Sequence, residues 1–299
     1  MRYFLLPLLA LLLFSCKNDK ANTETPQPID TESVIKNEAP FEEVLPFDSI
    51  YTNNDTELKK TKSVVIKRQN LIDKKDDKTE LQELVMQKTF KKDEDLYLID
   101  FTYPYLNEAV KPSYHNFNEY LEETYMDIAG VEANILEDKE LFCDTLRINR
   151  FKEKRFVDYK VYNLNKKLIS VLFYKENYYS GTLHPSYTFD CLNFSLERSV
   201  FMNYEDFFNE GSEEEMTQIL NEVLSEKMQS GEIYYDCWEI TFDDFFEYKD
   251  NFVIDDLKVE YYFDDCVICP SYTGTFSVAI PLERLLPILK RYKQNPLLI

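Results

Sequence analysis

Residues 251–289, NFVIDDLKVEYYFDDCVICPSYTGTFSVAIPLERLLPIL, decide the fold. Val, Tyr, Phe and Ile crowd two segments, Leu257 to Phe263 and Thr275 to Ile280, and β-branched and aromatic residues at this density read as strands. An irregular turn containing Cys266, Cys269, Pro270 and Gly274 separates them. Pro281 then suits the first turn of a short helix, with Leu282, Leu285, Leu286 and Leu289 directed inward. Strands this apolar need cover, and everything upstream has to supply it.

Working upstream, Ser212 to Glu215 has the form of a capping box directly after Gly211, and a helix runs through Met216, Ile219, Leu220, Val223, Leu224 and Met228 to Gly231. Arg155 to Tyr162 and Lys167 to Tyr174 form a hairpin turned by Asn163 to Lys166, and Tyr187 to Leu196 adds a third strand to an antiparallel meander. Pro112 opens a helix carrying Phe117, Leu121, Thr124, Tyr125 and Ile128 at helical spacing up to Gly130. Leu96 to Tyr103 is a strand ended by Pro104. Between Leu58 and Lys92, apolar patches at Val64 to Ile66 and at Leu81, Leu84 and Val85 flank an exposed charged turn, giving a strand followed by a strand or short helix. This order of elements predicts an α+β fold with a mixed, mainly antiparallel sheet covered by two or three helices.

The chain of 299 residues, 44% hydrophobic and 30% charged, can bury a core. Its 22 Tyr and 22 Phe against one Trp fit strands and cross-strand pairs. The 55 acids against 34 bases leave a net charge of −21, which repels phosphate backbones and anionic lipid heads and attracts a cationic partner. Nucleic acid is therefore excluded as a partner.

Met1 to Cys16 combines Arg2 with an apolar run from Tyr3 to Phe14, too short to span a bilayer comfortably. Its last four residues, Leu13 to Cys16, resemble the lipobox of bacterial lipoproteins. That resemblance makes residues 1–16 a lipoprotein signal and Cys16 the lipidated amino terminus, anchored to the membrane by its acyl chains alone. Residues 17–55, rich in Pro, Thr, Asn and Glu, have too little apolar surface to offset ordering entropy and read as a disordered tether. Its root-mean-square reach is about 35 Å.

Few residues point to chemistry. The pairs Asp243–Asp244, Asp255–Asp256 and Asp264–Asp265 are candidates for acid–base work or oxygen ligation, yet no run has calcium-loop spacing. His115 and His184 are the only histidines. No Gly-x-Ser-x-Gly, paired metal-binding histidines or phosphate loop occurs, so no catalytic residue, metal or cofactor is assigned. Once Cys16 is lipidated, Cys143, Cys191, Cys237, Cys266 and Cys269 remain, allowing two disulfides and one thiol. Cys266 and Cys269 form a C-x-x-C that ends a strand rather than opening a helix, which argues against a thioredoxin-like centre. Disulfides are their simpler use outside the cytoplasm, with the pairing left open.

The run from Ile169 to Phe208, the helix after it, and DDLKVEYYFDDCVICPSYTGTFSVAIPLERL resemble the DUF3298 family, preceded by a DUF4163-like region. The resemblance rests on the turn Gly181 to His184, the segment Tyr204 to Phe208, and Ile268, Pro270, Gly274, Ile280 and Pro281. Tyr103 and Pro104 resemble the Tyr-Pro that opens the upstream region. Ser271 stands where the family commonly has an aromatic, with Tyr272 following. The resemblance divides the ordered chain into residues 56–151, DUF4163-like, and 152–299, DUF3298-like, forming one compact unit. It implies a non-catalytic domain of the bacterial cell envelope, similar to the lysozyme-capturing part of an anti-sigma factor and to the accessory domain of peptidoglycan deacetylases. The expected partner is a protein such as a cationic wall hydrolase, or peptidoglycan, met at the outer membrane through Tyr178, Tyr179, Gly181, His184, Tyr272 and Gly274. The turns Gly181–Pro185 and Cys269–Gly274 are expected side by side, capping strands of one sheet. Two alternatives stand beside this reading: a glycan hydrolase with two carboxylates about 5 to 10 Å apart, and a structural spacer in the envelope.

Overall fold

A computed structural model of the protein describes residues 76–77, 80–141, 152–164, 167–180, 182, 185–233, 237–270, 273–293 and 295–298. The α+β class is as expected. Six strands form the larger sheet in sequential order: β1 (Val85–Asp93), β2 (Tyr97–Leu106), β3 (Glu153–Leu164), β4 (Leu168–Tyr178), β5 (Ser186–Ser195) and β6 (Val200–Met202). Only β2 and β3 pair in parallel, and their register runs from Tyr97↔Glu153 to Phe101↔Val157. The meander β3–β4–β5 forms as the alternation predicts, closing at Leu164↔Leu168. Leu81 and Leu84 sit in a turn that leads into β1, where the Val85 amide reaches Leu81 O at 2.7 Å, and the Val64 to Ile66 patch lies outside the described residues.

Pro104 does not end β2. It pairs in register with Gln87 of β1. Two residues on, the Leu106 amide and carbonyl face away from β1 and are met by the Asn118 side chain at 2.8 and 2.9 Å. Pro104 shares that direction, on the flank where β3 has already stopped pairing, so its missing N–H costs no ladder bond.

The helical segment predicted from Pro112 to Gly130 is longer and broken. A 3-10 turn (Pro112–Tyr114) leads into α1 (His115–Glu119) and a π-helical stretch over Tyr120–Met126; Asp127 is left-handed at φ 31°, and α2 (Ile128–Leu141) follows. Gly130 is therefore near the start of a helix and not the end of one. Its amide donates to Asp127 Oδ1 at 3.1 Å, and a Cβ on Gly130 would fall 2.0 Å from Asp127 Oδ2. Glycine lets the Asp127 carboxylate fold over the new helix end. This layer covers one face of the sheet, burying Ile99, Phe101, Phe117, Leu121, Val171, Phe173 and Phe194 together. The Phe117 and Phe194 rings meet edge-on at 5.1 Å.

The strands of the 251–289 stretch were expected to join that sheet, and they do not. They make their own: β7 (Phe252–Ile254), β8 (Lys258–Tyr262) and β9 (Ser277–Pro281), all antiparallel. The reason lies in the outer edge of β7, whose backbone is taken by side chains of the larger sheet. The Ile254 amide donates to Ser170 Oγ at 3.1 Å, and Asn193 Nδ2 donates to Phe252 O at 2.9 Å. An edge met by side chains cannot extend a ladder. Asn251 extends the junction: its Oδ1 accepts from the Cys191 amide at 2.6 Å, and its Nδ2 reaches Phe189 O at 2.6 Å and Tyr262 O at 2.9 Å.

Helices α3 (Tyr204–Phe207), α4 (Glu213–Ser230) and α5 (Phe242–Tyr248) bury Tyr204, Phe207, Met216, Leu220, Leu224 and Phe245 against the small sheet. Ser212 does not cap α4 as its capping-box spacing predicts. Its Oγ instead donates to Asn209 O at 2.6 Å and meets the Tyr204 hydroxyl at 2.7 Å. A capping box does form at α5, where the Asp244 amide donates to Thr241 Oγ1 at 3.1 Å and the Thr241 amide to Asp244 Oδ2 at 3.0 Å. The last helix, α6 (Leu282–Leu285), is one turn long. Leu285 and Leu289 are buried as predicted, but Leu286 is 55% exposed, and Ile288 is buried beside them as the turn continues past Pro287, with the Leu289 amide on Leu285 O at 3.0 Å. Among the described residues, no helix is long and apolar enough to cross a membrane.

Candidate functional site

The larger sheet and the helical layer separate at one end to leave a cleft of about 450 Å³. Phe101, Val157, Lys175 and Asn177 floor it from β2, β3 and β4, while Tyr125, Met126, Val131, Asn134, Glu137 and Asp138 form the opposite wall. Tyr179, on the turn after β4, stands at its edge with Arg155. Strand alternation places Arg155 on the same face as Val157, Tyr159 and Val161, a cation among apolar neighbours. Burial of Arg155 is tolerated because Nη2 donates to Glu153 Oε2 at 2.8 Å, a carboxylate 1% exposed. Residues two apart on one strand share a face, which brings this pair together.

That ion pair organises the turn. Arg155 Nη1 donates to Tyr178 O at 3.3 Å, and its guanidinium lies 4.1 Å from the centre of the Tyr179 ring. Glu153 accepts from the Ser180 amide at 3.4 Å, Lys139 of α2 hydrogen-bonds the Ser180 hydroxyl, and Thr182 Oγ1 donates to Tyr179 O at 2.9 Å. Burial, the largest effect on Lys139, lowers its pKa. Deeper in, Lys175 lies 2.7 Å from Asp190 and 4.2 Å from the centre of the Tyr125 ring, whose hydroxyl also donates to Asp190 at 2.7 Å. Burial first, and the Asp190 charge second, push the Tyr125 phenol well above its ordinary pKa and keep it a neutral donor. Arg155 and Lys175 thus each have a carboxylate partner, and Glu137 and Asp138 add negative charge on the opposite wall. The cleft is suited to holding a polar ligand more than to moving a proton.

Of the residues singled out in the sequence, Tyr179 lines this cleft and is 44% exposed. Tyr178 points to the other side of the sheet, edge-on to Phe156 at 6.3 Å. Gly181, His184 and Tyr272 lie outside the described residues, as do Cys16 and Cys143. Gly274, left-handed at φ 69°, precedes β9 and does not line the cleft. The two turns cannot cap strands of one sheet, since β8 and β9 belong to the smaller one. The loop after β8 nevertheless reaches the start of β5: the Asp265 amide donates to Tyr187 O at 3.1 Å and the Phe189 amide to Asp264 Oδ1 at 3.0 Å. Burial, the largest effect on Asp264, raises its pKa, and the Phe189 amide opposes it.

Cys237 and Cys269 form a disulfide spanning 32 positions, so the C-x-x-C is not itself a bridge. Cys191 is buried in β5 and Cys266 is exposed. Among the described residues, no group of His, Cys, Asp and Glu could hold a metal ion. Each acidic pair has one member turned to the backbone: Asp244 caps α5, Asp264 holds β5, and Asp255 accepts from the Leu257 and Lys258 amides at 2.8 and 2.9 Å. His115 is exposed, 3.4 Å from Glu108. Sequence reasoning missed Glu153, Arg155, Lys175, Tyr125 and Asp190; the available signal was a charged residue on the apolar parity of a strand.

Among curated proteins none matches the chain. A solved DUF3298 family protein from Pseudomonas aeruginosa PAO1 shares the fold, with a TM-score of 0.52 and 14% identity over 72% of this chain and 98% of that one. A second solved member, from Bacteroides fragilis NCTC 9343, aligns with a TM-score of 0.45 and 16% identity, covering 69% of this chain and 94% of that one. Residues 205–283, which carry the small sheet with α4 and α5, match the family model described as protein of unknown function (DUF3298).

Proposed function

We propose that the chain is a lipid-anchored binding protein of the bacterial cell envelope, held at the outer membrane through Cys16, that recognises peptidoglycan or a cationic wall hydrolase and catalyses no reaction. In this reading residues 56–151 are a DUF4163-like region that completes the sheet begun by residues 152–299. The observation that carries it is the cleft, whose lining combines an aromatic ring with side-chain amides. Its two cations are already paired with Glu153 and Asp190, and the Tyr179 ring and the amides of Asn134 and Asn177 line it. A ligand rich in hydroxyl and amide groups, such as the glycan of peptidoglycan, gains an aromatic face and planar hydrogen-bonding partners there.

The test is co-sedimentation of the full chain, kept in detergent, with isolated peptidoglycan. Binding is expected, weakened about tenfold in Tyr179→Ala, the equivalent of about 1.4 kcal/mol. Absence of binding, or equal binding by the variant, would contradict the reading.

A further inference from the structure

The outer side of α4 forms a second, wider groove of about 710 Å³ with the segment that leads into α5, on the part of the chain remote in sequence from the cleft. Its walls carry Glu214, Glu222, Glu226 and Glu239, and Phe242 closes one side. Glu226 is paired with Arg284 at 2.7 Å. Glu214, Glu222 and Glu239 are exposed; Glu222 shares the charge of Arg284 with Glu226, while Glu214 and Glu239 have no ion pair among the described residues. The groove is preformed, because Asn221 of α4 clamps the backbone of Ile240 through both side-chain atoms, at 2.8 and 2.9 Å.

Beside these acids lies apolar surface that folding has left uncovered. Phe245 of α5 is buried, whereas Phe242 and Phe246 are 48% and 53% exposed, with ring centres 6.1 Å apart. Lys249 stands 4.8 Å from the centre of the Phe246 ring, so Phe246 offers a partner apolar contact. Exposed aromatic surface rimmed by more carboxylates than cations matches one kind of occupant, a segment bearing both apolar and basic side chains. A second copy of this chain is disfavoured, since two acidic grooves on molecules of charge −21 repel.

We infer that this α4–α5 groove docks a basic amphipathic segment of a partner protein, its lysines or arginines meeting Glu214, Glu222 and Glu239 and its apolar side chains covering Phe242 and Phe246. The inference rests on the protein-partner side of the proposed function and assigns it a surface separate from the cleft.

Trp238, the only tryptophan, is 45% exposed and adjacent in sequence to Glu239, which gives a local fluorescence signal. The full chain in detergent is titrated with a tryptophan-free helical peptide carrying lysine on one face and leucine on the other, and with its glutamate counterpart. The lysine peptide is expected to shift Trp238 emission to shorter wavelength, with affinity that falls as salt rises; the glutamate peptide is expected to do neither. The variant Glu214→Lys, Glu222→Lys, Glu239→Lys is expected to lose about tenfold or more in affinity. The equal charge change Glu119→Lys, Glu123→Lys, Glu140→Lys on other exposed helices is expected to lose less than about twofold. Phe242→Ala, which removes no charge, is expected to weaken binding several-fold. Tyr179→Ala is expected to leave peptide binding intact while weakening peptidoglycan binding, which separates failure of the groove from failure of the cleft. Equal losses in the two charge variants, no response of Trp238, or loss of peptide binding in Tyr179→Ala would overturn the inference. So would a concentration-dependent dimer, abolished by Phe242→Ala, seen by light scattering without peptide.

Discussion

Replacing Asn251 by alanine is expected to lower the unfolding free energy by about 3–5 kcal/mol, a large part of the 5–15 kcal/mol that holds an ordinary domain. The side chain satisfies one amide and two carbonyls, those of Cys191, Phe189 and Tyr262, and so ties β5 of the larger sheet to the small sheet. Alanine strands all three, each at about 1–3 kcal/mol, with water entering the space recovering a part. Asn251→Asp tests the same point with almost no change of volume. It keeps the acceptor for the Cys191 amide but turns a carboxylate on two carbonyl oxygens, and is expected to cost as much. Urea denaturation of both variants reads the effect as a shift in midpoint. A loss below about 1 kcal/mol would mean that the Asn251 bonds do not hold the two sheets together.

Removing the Cys237–Cys269 disulfide, as Cys237→Ser or by reduction of the native chain, is expected to cost about 3–4 kcal/mol. The bridge closes a loop of 32 positions, and its loss returns that much conformational freedom to the unfolded chain. Both cysteines are buried in the core beneath α4, so the serine hydroxyl adds a polar group there. Cys266→Ser, at the exposed thiol, is expected to change stability by less than about 0.5 kcal/mol. Thermal melts of the three proteins with and without reductant decide the matter. Equal stability of Cys237→Ser and the oxidised native chain would contradict the assignment.

The strands of the meander and helix α4 were legible because each has an uninterrupted apolar pattern over ten or more residues, which only one secondary structure can bury. The division into two sheets was not. Strand β7 is three residues long, and its edge is satisfied by Ser170 and Asn193, polar side chains 84 and 59 positions away in sequence. Nothing local distinguishes them from solvated residues. The break at Asp127 was hidden for a related reason: helical spacing continues across it, and only the contact between Asp127 and Gly130 shows why the chain restarts there. At the cleft, Tyr179 was legible from its aromatic turn, whereas Glu153 and Arg155 looked like the charged start of a strand. Their role depends on the helical layer that buries them. The acidic pairs misled in the opposite direction, since backbone amides had use for one carboxylate of each.

The most direct measurement is amide hydrogen exchange on the full chain in detergent, with and without peptidoglycan fragments. The account predicts slower exchange confined to the turn Tyr178–Ser180 and to the wall of α2 from Asn134 to Asp138, with the α4–α5 groove unchanged. No slowing at either cleft segment, under conditions where the fragments bind, would contradict it.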